Sequence, residues 1–365
     1  MNAIIPLCLF AAVATTSAAA QGWTKQVGMQ GGVLRLKPAG THQRDYIDRW
    51  EIPNNGSTVP DLFVVLPVTR RVALESGLAA SHEKFKEASG LVPASSASDV
   101  RLTARADILL TGAAYVAAGA MLRHHRVDGS HSMQTGLLGA IGYHRPVGSS
   151  LNVRIEGQWL TQSKTDSIAP SNVYAIMFGV SRDLTSVRQP PGRSRAADGP
   201  FRPWRLQVGG LGGYVRNHFY GGIFGVYVDA RETVIQFPGT GATTPPPLFV
   251  DLPLHGRLAV ELGFAAERSQ QSGFTLFDSH VAPRLSFAVY RGIYAAVGGN
   301  LRYVQQTGEK GFAIAGAHVA SGYRVPLDAF EARVDVSYTV FKERTNFPFA
   351  QNSVAVRLGI AMALQ

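Results

Sequence analysis

Residues 62–80 read LFVVLPVTRRVALESGLAA, and residues 248–266 read LFVDLPLHGRLAVELGFAA. Eleven of the nineteen positions are identical in copies 186 residues apart. Each copy runs as an apolar strand, a short break after Leu-Pro, and a second strand that alternates apolar and polar residues. Successive side chains of a strand point to opposite faces, so such a stretch is a hairpin, with Glu75 and Glu261 on one common face. The chain therefore writes one hairpin twice.

Alternation of the same kind recurs along the chain. In Phe330–Val340, Glu331, Arg333, Asp335, Ser337 and Thr339 fall on one face, and Ala332, Val334, Val336, Tyr338 and Val340 on the other. In the last stretch, Val354, Val356, Leu358, Ile360, Met362 and Leu364 alternate with Ala355, Arg357, Gly359, Ala361 and Ala363. Runs of about ten residues suit a tilted strand that crosses a hydrocarbon layer.

The second half parses into eight strands, roughly 204–217, 246–253, 258–268, 281–290, 293–305, 312–324, 330–342 and 351–364. The first half gives a matching eight, roughly 24–37, 61–67, 72–85, 100–110, 113–127, 133–145, 151–163 and 172–184. Tight turns at 254–257, 291–292 and 326–329 alternate with longer connections at 218–245 and 269–280. That is the pattern of a transmembrane β-barrel, which must close because an open edge in lipid leaves backbone groups unpaired. The halves echo each other further: Tyr115–Arg123 matches Tyr294–Arg302, and Gly142, Tyr143 and Pro146 match Gly322, Tyr323 and Pro326. Trp23 and Trp204 stand at the entry to each half's first strand, where an interfacial aromatic is expected.

The ends and the middle set the domain plan. Residues 1–20 combine a short apolar run with a small-residue stretch ending Ala18-Ala19-Ala20, the pattern of a secretory signal peptide. The only cysteine, Cys8, lies inside it, so the mature chain would be held by its sheet and core rather than by disulfides. No stretch is long and apolar enough for a helical span. A first eight-stranded unit over 21–184, a Pro/Arg-rich linker over 185–203 and a second unit over 204–365 complete the plan. The net charge of +10 comes from 28 arginines and seven lysines scattered singly. The densest group, Arg188, Arg193, Arg195 and Arg202, sits in the linker. A nucleic-acid partner is not expected of an exported chain with so dispersed a charge.

The unit resembles the small outer-membrane barrels of the OmpA/OmpX type, internally duplicated. The stretches carrying the resemblance are LPLHGRLAVELGFAAE, IYAAVGGNLRY and the terminal VAVRLGIAMAL. The resemblance implies a bacterial outer-membrane location, outer-membrane lipid as surroundings, and recognition by the barrel-assembly machinery through the last strand. Arg357, Gly359, Met362 and Leu364 fit that terminal frame, although aliphatic residues replace the usual aromatic and Gln365 follows. The same frame in the first half is spoiled by Arg182.

The chemistry-bearing residues fall on the expected inner wall. Glu75, Arg105, Arg123, Arg154 and Glu156 match Glu261, Arg284, Arg302, Arg333 and Asp335; Asp107 and Arg357 are added on the same wall. Charges enclosed by a narrow barrel must pair, so a salt-bridge plug is expected, with a polar path for small solutes as the alternative. His124, His125 and His131 cluster near one loop, but alternation sends His124 and His125 to opposite faces, which does not make a metal site. Asp278-Ser279-His280, adjacent in an expected loop, lacks the converging geometry of a catalytic set. The long loops carry Tyr46, Trp50, Phe219, Tyr220, Phe224 and Tyr227, which serve either as binding anchors or as strand extensions. No cofactor, metal or catalytic residue is expected, and any extracellular ligand of the loops is unspecified.

Two architectures satisfy these patterns. Either two eight-stranded barrels stand in tandem, which the linker and inward small residues such as Gly263, Ala296, Gly298 and Gly359 favour, or all sixteen strands close one wider barrel. The first implies a structural or surface-interaction protein without enzymatic activity. The second implies a porin-like passive channel.

Overall fold

The computed structural model describes residues 22–38, 47–52, 62–87, 94–111, 113–147, 151–163, 170–184, 201–223, 226–237, 246–271, 274–308, 310–327, 330–342 and 350–364. The expected signal peptide and residues 185–200 of the expected linker lie outside these, as do Tyr46 and Phe224.

Among the described residues the chain is all β, with no helix. The first half supplies β1 (Gln26–Pro38), β2 (Ile47–Ile52), β3 (Leu62–Pro67), β4 (Val72–Glu87), β5 (Ser95–Thr111), β6 (Ala114–Val127), β7 (Ser130–Val147), β8 (Leu151–Gln162) and β9 (Pro170–Asp183). The second supplies β10 (Gln207–Ile223), β11 (Val226–Phe237), β12 (Leu248–His255), β13 (Leu258–Gln271), β14 (Phe274–Tyr290), β15 (Ile293–Gln306), β16 (Phe312–Leu327), β17 (Phe330–Phe341) and β18 (Ala350–Ala363). Every pairing is antiparallel, as membrane-type barrels require of strands joined by turns.

The sheet closes differently at its two ends. At the end bearing the tight turns, Gln26–Met29 of β1 pair with β3 and the whole of β1 pairs with β9, so β1 and β3 to β9 form a ring of eight. Gln207–Gly210 of β10 pair with β12, and β10 pairs with β18, so β10 and β12 to β18 form a second ring of eight. Toward the other end partners are exchanged. Leu78 of β4 faces Leu62 of β3, but from Ala80 onward β4 faces β11. Phe264 of β13 faces Leu248 of β12, but Ala266–Gln270 face β2. With β2 also on β1 and β11 also on β10, the upper pairings trace one circuit through both halves. The pairings thus run as two eight-strand rings below and one circuit, a common collar, above.

Several expected boundaries shift. Among the described residues each half has nine strand segments rather than eight, because the second position is split into an outer piece that crosses to the other half (β2 or β11) and an inner piece that stays (β3 or β12). Much of 218–245 is strand rather than loop, and 269–280 is strand up to Gln271 and from Phe274 onward. The length of these connections suggested loops, yet their described parts pair as strands. Trp50, Phe219, Tyr220 and Tyr227 therefore fall within strands, and so do Asp278, Ser279 and His280.

Outward positions carry a continuous apolar coat. In β18, Val354, Val356, Leu358 and Ile360 are all exposed, and β14 presents Val281, Leu285, Phe287 and Val289 likewise. Exposed aliphatic residues in alternating register around a closed sheet are what hydrocarbon surroundings call for. The inner face is packed. Trp23 and Trp204, expected at the interface, instead turn inward and are buried. Trp23 meets the ring of Tyr115 edge-on at 5.3 Å and stacks on His144 at 4.5 Å. Trp204 meets Tyr294 edge-on at 5.7 Å and lies under the Arg324 guanidinium at 3.7 Å. The tyrosines need bare backbone beside them: a Cβ on Gly142 would stand 2.4 Å from Tyr115 Cζ, and one on Gly322 2.5 Å from Tyr294 Cζ.

Candidate functional site: the filled lumen

The inner wall of each ring holds one closed polar cluster above the buried tryptophan. In the first half, strand alternation delivers Glu75 from β4, Arg105 and Asp107 from β5, Tyr115 from β6, and Arg154 and Glu156 from β8 to the same level. Arg105 grips Glu156 through two bonds of 2.6 Å and stands 3.1 Å from Glu75 and 2.9 Å from Asp107. Arg154 donates to Glu75 and to Gln30, and its guanidinium lies 3.6 Å over the Phe63 ring. The Tyr115 hydroxyl and the Gln158 amide both donate to Glu156.

The second half repeats this plan. Arg284 stands 2.8 Å from Glu261 and 2.9 Å from Asp335; Arg333 bridges Glu261 and Asp251 at 2.5 Å each. The Tyr294 hydroxyl donates to Asp335 at 2.7 Å, and the Arg333 guanidinium lies 4.3 Å over the Phe249 ring. Gln207 donates to Asp251 at 2.6 Å. Every carboxylate and guanidinium of both clusters is buried. Buried ions of this kind persist only when charge and hydrogen bonds are met together, and the bidentate and bridging arginines meet both.

The structure brings most of the expected wall residues together but sets Arg123 and Arg302 apart. Each pairs higher up with a carboxylate six residues along the strand from a cluster arginine: Arg123 with Asp99, on the strand of Arg105, at 2.7 Å, and Arg302 with Asp278, on the strand of Arg284. Arg357 reaches the second cluster only at its edge, 3.5 Å from Asp335, while its other arm donates to the Pro246 carbonyl at 3.2 Å. Asp278 and His280 are buried on the inner wall and Ser279 faces away, so this triplet does not converge. His124 and His131 are exposed, while His125 lies 3.8 Å from Asp99.

Sequence reasoning missed Asp251, Tyr115, Tyr294, Asp99 and the glutamines as members of these clusters. Asp251 carried a usable signal. It is the one charged residue in LFVDLP, on the same parity as the inward Phe249, and it faces Glu261 directly in register. Two opposed carboxylates on one face call for a cation, which Arg333 supplies.

Immediately above the clusters the halves part company. In the first, Leu36, Met121, Leu138, Leu160, Val173 and Met177 form an apolar layer with Leu34 and Ala175. The register-equivalent positions of the second are Asn217, Asn300, His318, Thr339, Ser353 and Arg357, all buried. Here His318 bonds Thr339 at 3.0 Å, His280 bonds Asn300 at 3.0 Å, and Ser353 donates to Asn217 at 2.5 Å. A small apolar group of Val304, Ile314 and Phe341 covers this polar layer.

No protein-family model matches the sequence. No curated protein matches it either. Among solved structures, a bacterial polysaccharide outer membrane secretin aligns over 94% of this chain and 99% of its own, with 7% identity and a TM-score of 0.32. The CymD monoaromatic hydrocarbon channel aligns over 94% and 89%, with 9% identity and a TM-score of 0.31. The siderophore receptor PirA from Pseudomonas aeruginosa aligns over 94% and 81%, with 10% identity and a TM-score of 0.28. The barrel rests on the strand pairings above and not on these likenesses.

Proposed function

We propose that the chain is an exported bacterial outer-membrane β-barrel protein, without enzymatic activity, that serves a structural or surface-interaction role through its collar end. One observation carries this reading. Both lower rings are filled across by a buried ion cluster resting on an inward tryptophan, Trp23 with Glu75, Arg105, Arg154 and Glu156, and Trp204 with Glu261, Arg284, Arg333 and Asp335. A lumen filled in this way resists solute passage, since opening it would strand several desolvated charges.

Outer-membrane lipid is the surrounding medium on this reading, in keeping with the exposed apolar coat. Residues 1–20 act as the export signal, and the last strand, with Arg357, Gly359, Met362 and Leu364, engages the barrel-assembly machinery. The halves arose by duplication of an OmpA/OmpX-like unit. Support for this comes from the matched clusters, down to Tyr115 with Tyr294 and Phe63 with Phe249.

The second reading, a porin-like passive channel, draws on the common circuit of the collar. Planar-bilayer recording of the purified full chain separates the two. The sealed reading expects no steady unit conductance, and reproducible nanosiemens-scale steps would replace it with the channel.

A further inference from the structure

We infer that one seam of the collar carries a docking surface for the phosphate groups of anionic membrane lipids, built from Lys84, Lys86, Arg126, Arg216 and Arg231. Such a surface presupposes the outer-membrane reading and adds to it a lipid class and a place on the barrel.

No single stretch of sequence holds this patch. Strands β10, β11, β4, β5 and β6 become neighbours only because β11 leaves its own half to pair with β4. Along that arc the register sets Arg216 beside Thr233, and Thr233 beside Lys84. Just above them, His218, Arg231 and Lys86 stand in line. Lys84 and Arg216 are thus two strands apart, about 10 Å at the usual strand spacing. Alternation turns all five cations outward, and all five are exposed. Arg216 lies between buried Val215 and Asn217, and Arg231 between buried Ala230 and Glu232, which bonds the inward Asn217. Arg126 is opposite Ser98, whose hydroxyl meets the outward His82 at 2.7 Å.

Three features point to an anion from outside. First, Arg231 and Lys86 are directly opposite on adjacent strands, and like charges so placed repel. Secondly, the nearby carboxylates are occupied. Glu232 accepts from Asn217 at 2.7 Å, and Asp229 lies 2.7 Å from His218. Among the described residues, none of the five cations forms an ion pair. Thirdly, the height is right. Leu78, Tyr214 and Ile235 are exposed on the same strands just below, and Arg216 is in register with exposed Val354. Cations at the rim of an apolar coat stand at headgroup level, where long side chains reach lipid phosphates.

The other seam is built alike and dressed differently. There Arg35 holds the place of Arg216, but Asp48 takes the register position of Thr233 and Gln270 that of Lys84. Gln305 stands in turn where Arg126 does. Charge kept only for solubility would mark both seams, whereas the uncompensated cations gather at one.

The test reconstitutes the full chain in phosphatidylcholine vesicles that carry spin-labelled phosphatidic acid or spin-labelled phosphatidylcholine. Electron paramagnetic resonance reads the motionally restricted fraction of each label. Phosphatidic acid should be preferred by about tenfold. Lys84→Gln combined with Lys86→Gln should bring the preference within about twofold, whereas Arg268→Gln at the other seam should leave it unchanged. Heat-modifiability on gels reports whether each variant folds. If the double variant does not, Arg231→Gln takes its place and should cut the preference about threefold. Equal restriction of the two lipids by the native chain, or a preference untouched in the folded variants, would overturn the assignment and leave the patch to a soluble anionic partner, with the membrane reading intact. Absence of a restricted fraction for either lipid would overturn the membrane reading and the lipid surface with it.

Discussion

The two halves share a floor and differ in the storey above it. Below, Arg105 and Arg284, Arg154 and Arg333, Glu156 and Asp335 occupy matching places with matching partners. Above, one half is packed with Leu36, Met121, Leu138 and Leu160, and the other carries Asn217, Asn300, His318 and Thr339. An ion cluster is hard to change piecemeal, because removing one partner strands the rest at several kcal/mol. An apolar layer of independent contacts can be exchanged residue by residue at about 1 kcal/mol a step. The interlocked part is alike in the two halves and the divisible part differs.

The strongest way to break this comparison is to separate the halves. Residues 204–365 expressed alone should give no heat-resistant barrel, because β11 and the upper part of β13 lose their partners on β4 and β2. Recovery of a heat-modifiable, protease-resistant fragment would show that the rings are independent and the collar incidental. Next in size, Glu75→Gln and Glu261→Gln in the full chain should each lower stability by about 3–5 kcal/mol, the cost of withdrawing one carboxylate shared by two buried guanidiniums. Urea unfolding in detergent measures both. Unequal losses would mean that the floors are alike in shape but not in energy.

Tyr115→Phe and Tyr294→Phe each remove one hydroxyl from a buried carboxylate, at about 1.5–3 kcal/mol. Thermal midpoints should fall together in the two variants. The smallest and most discriminating pair lies in the upper layer. Leu138→Asn should cost about 1–3 kcal/mol by burying an unmet amide, whereas Thr339→Val, which removes the hydroxyl paired with His318, should cost about 1 kcal/mol. Equal losses would show that the polar and apolar layers are energetically interchangeable.

Much of this was legible in the sequence. Alternation places Glu331, Arg333 and Asp335 on one face whatever the partner, so the wall residues could be named before any pairing was known. The collar was not legible. Stretches such as VYVDARETVIQF are polar enough to pass for a loop, and no local pattern states that β11 leaves its own half to join β4. Partner exchange is a property of distant edges, not of periodicity. Trp23 and Trp204 misled for a related reason: a tryptophan at a strand entry suits either interface or lumen, and inward placement follows from its meeting Tyr115 or Tyr294 across the ring.

The exchange at the collar also has a consequence in time. Along the first half, the upper stretch of β4 has β5 on one edge, and its other edge finds a partner only in β11, some 150 residues further on, where Ala80 faces Phe237. Until that partner arrives, β4 presents a bare edge, and β13 does the same until it finds β2. Contacts of such long sequence separation form late and slow the search for the native sheet. The early half cannot finish before the late one, so membrane insertion of this chain is a single act whose last step joins the early strands of one half to the early strands of the other.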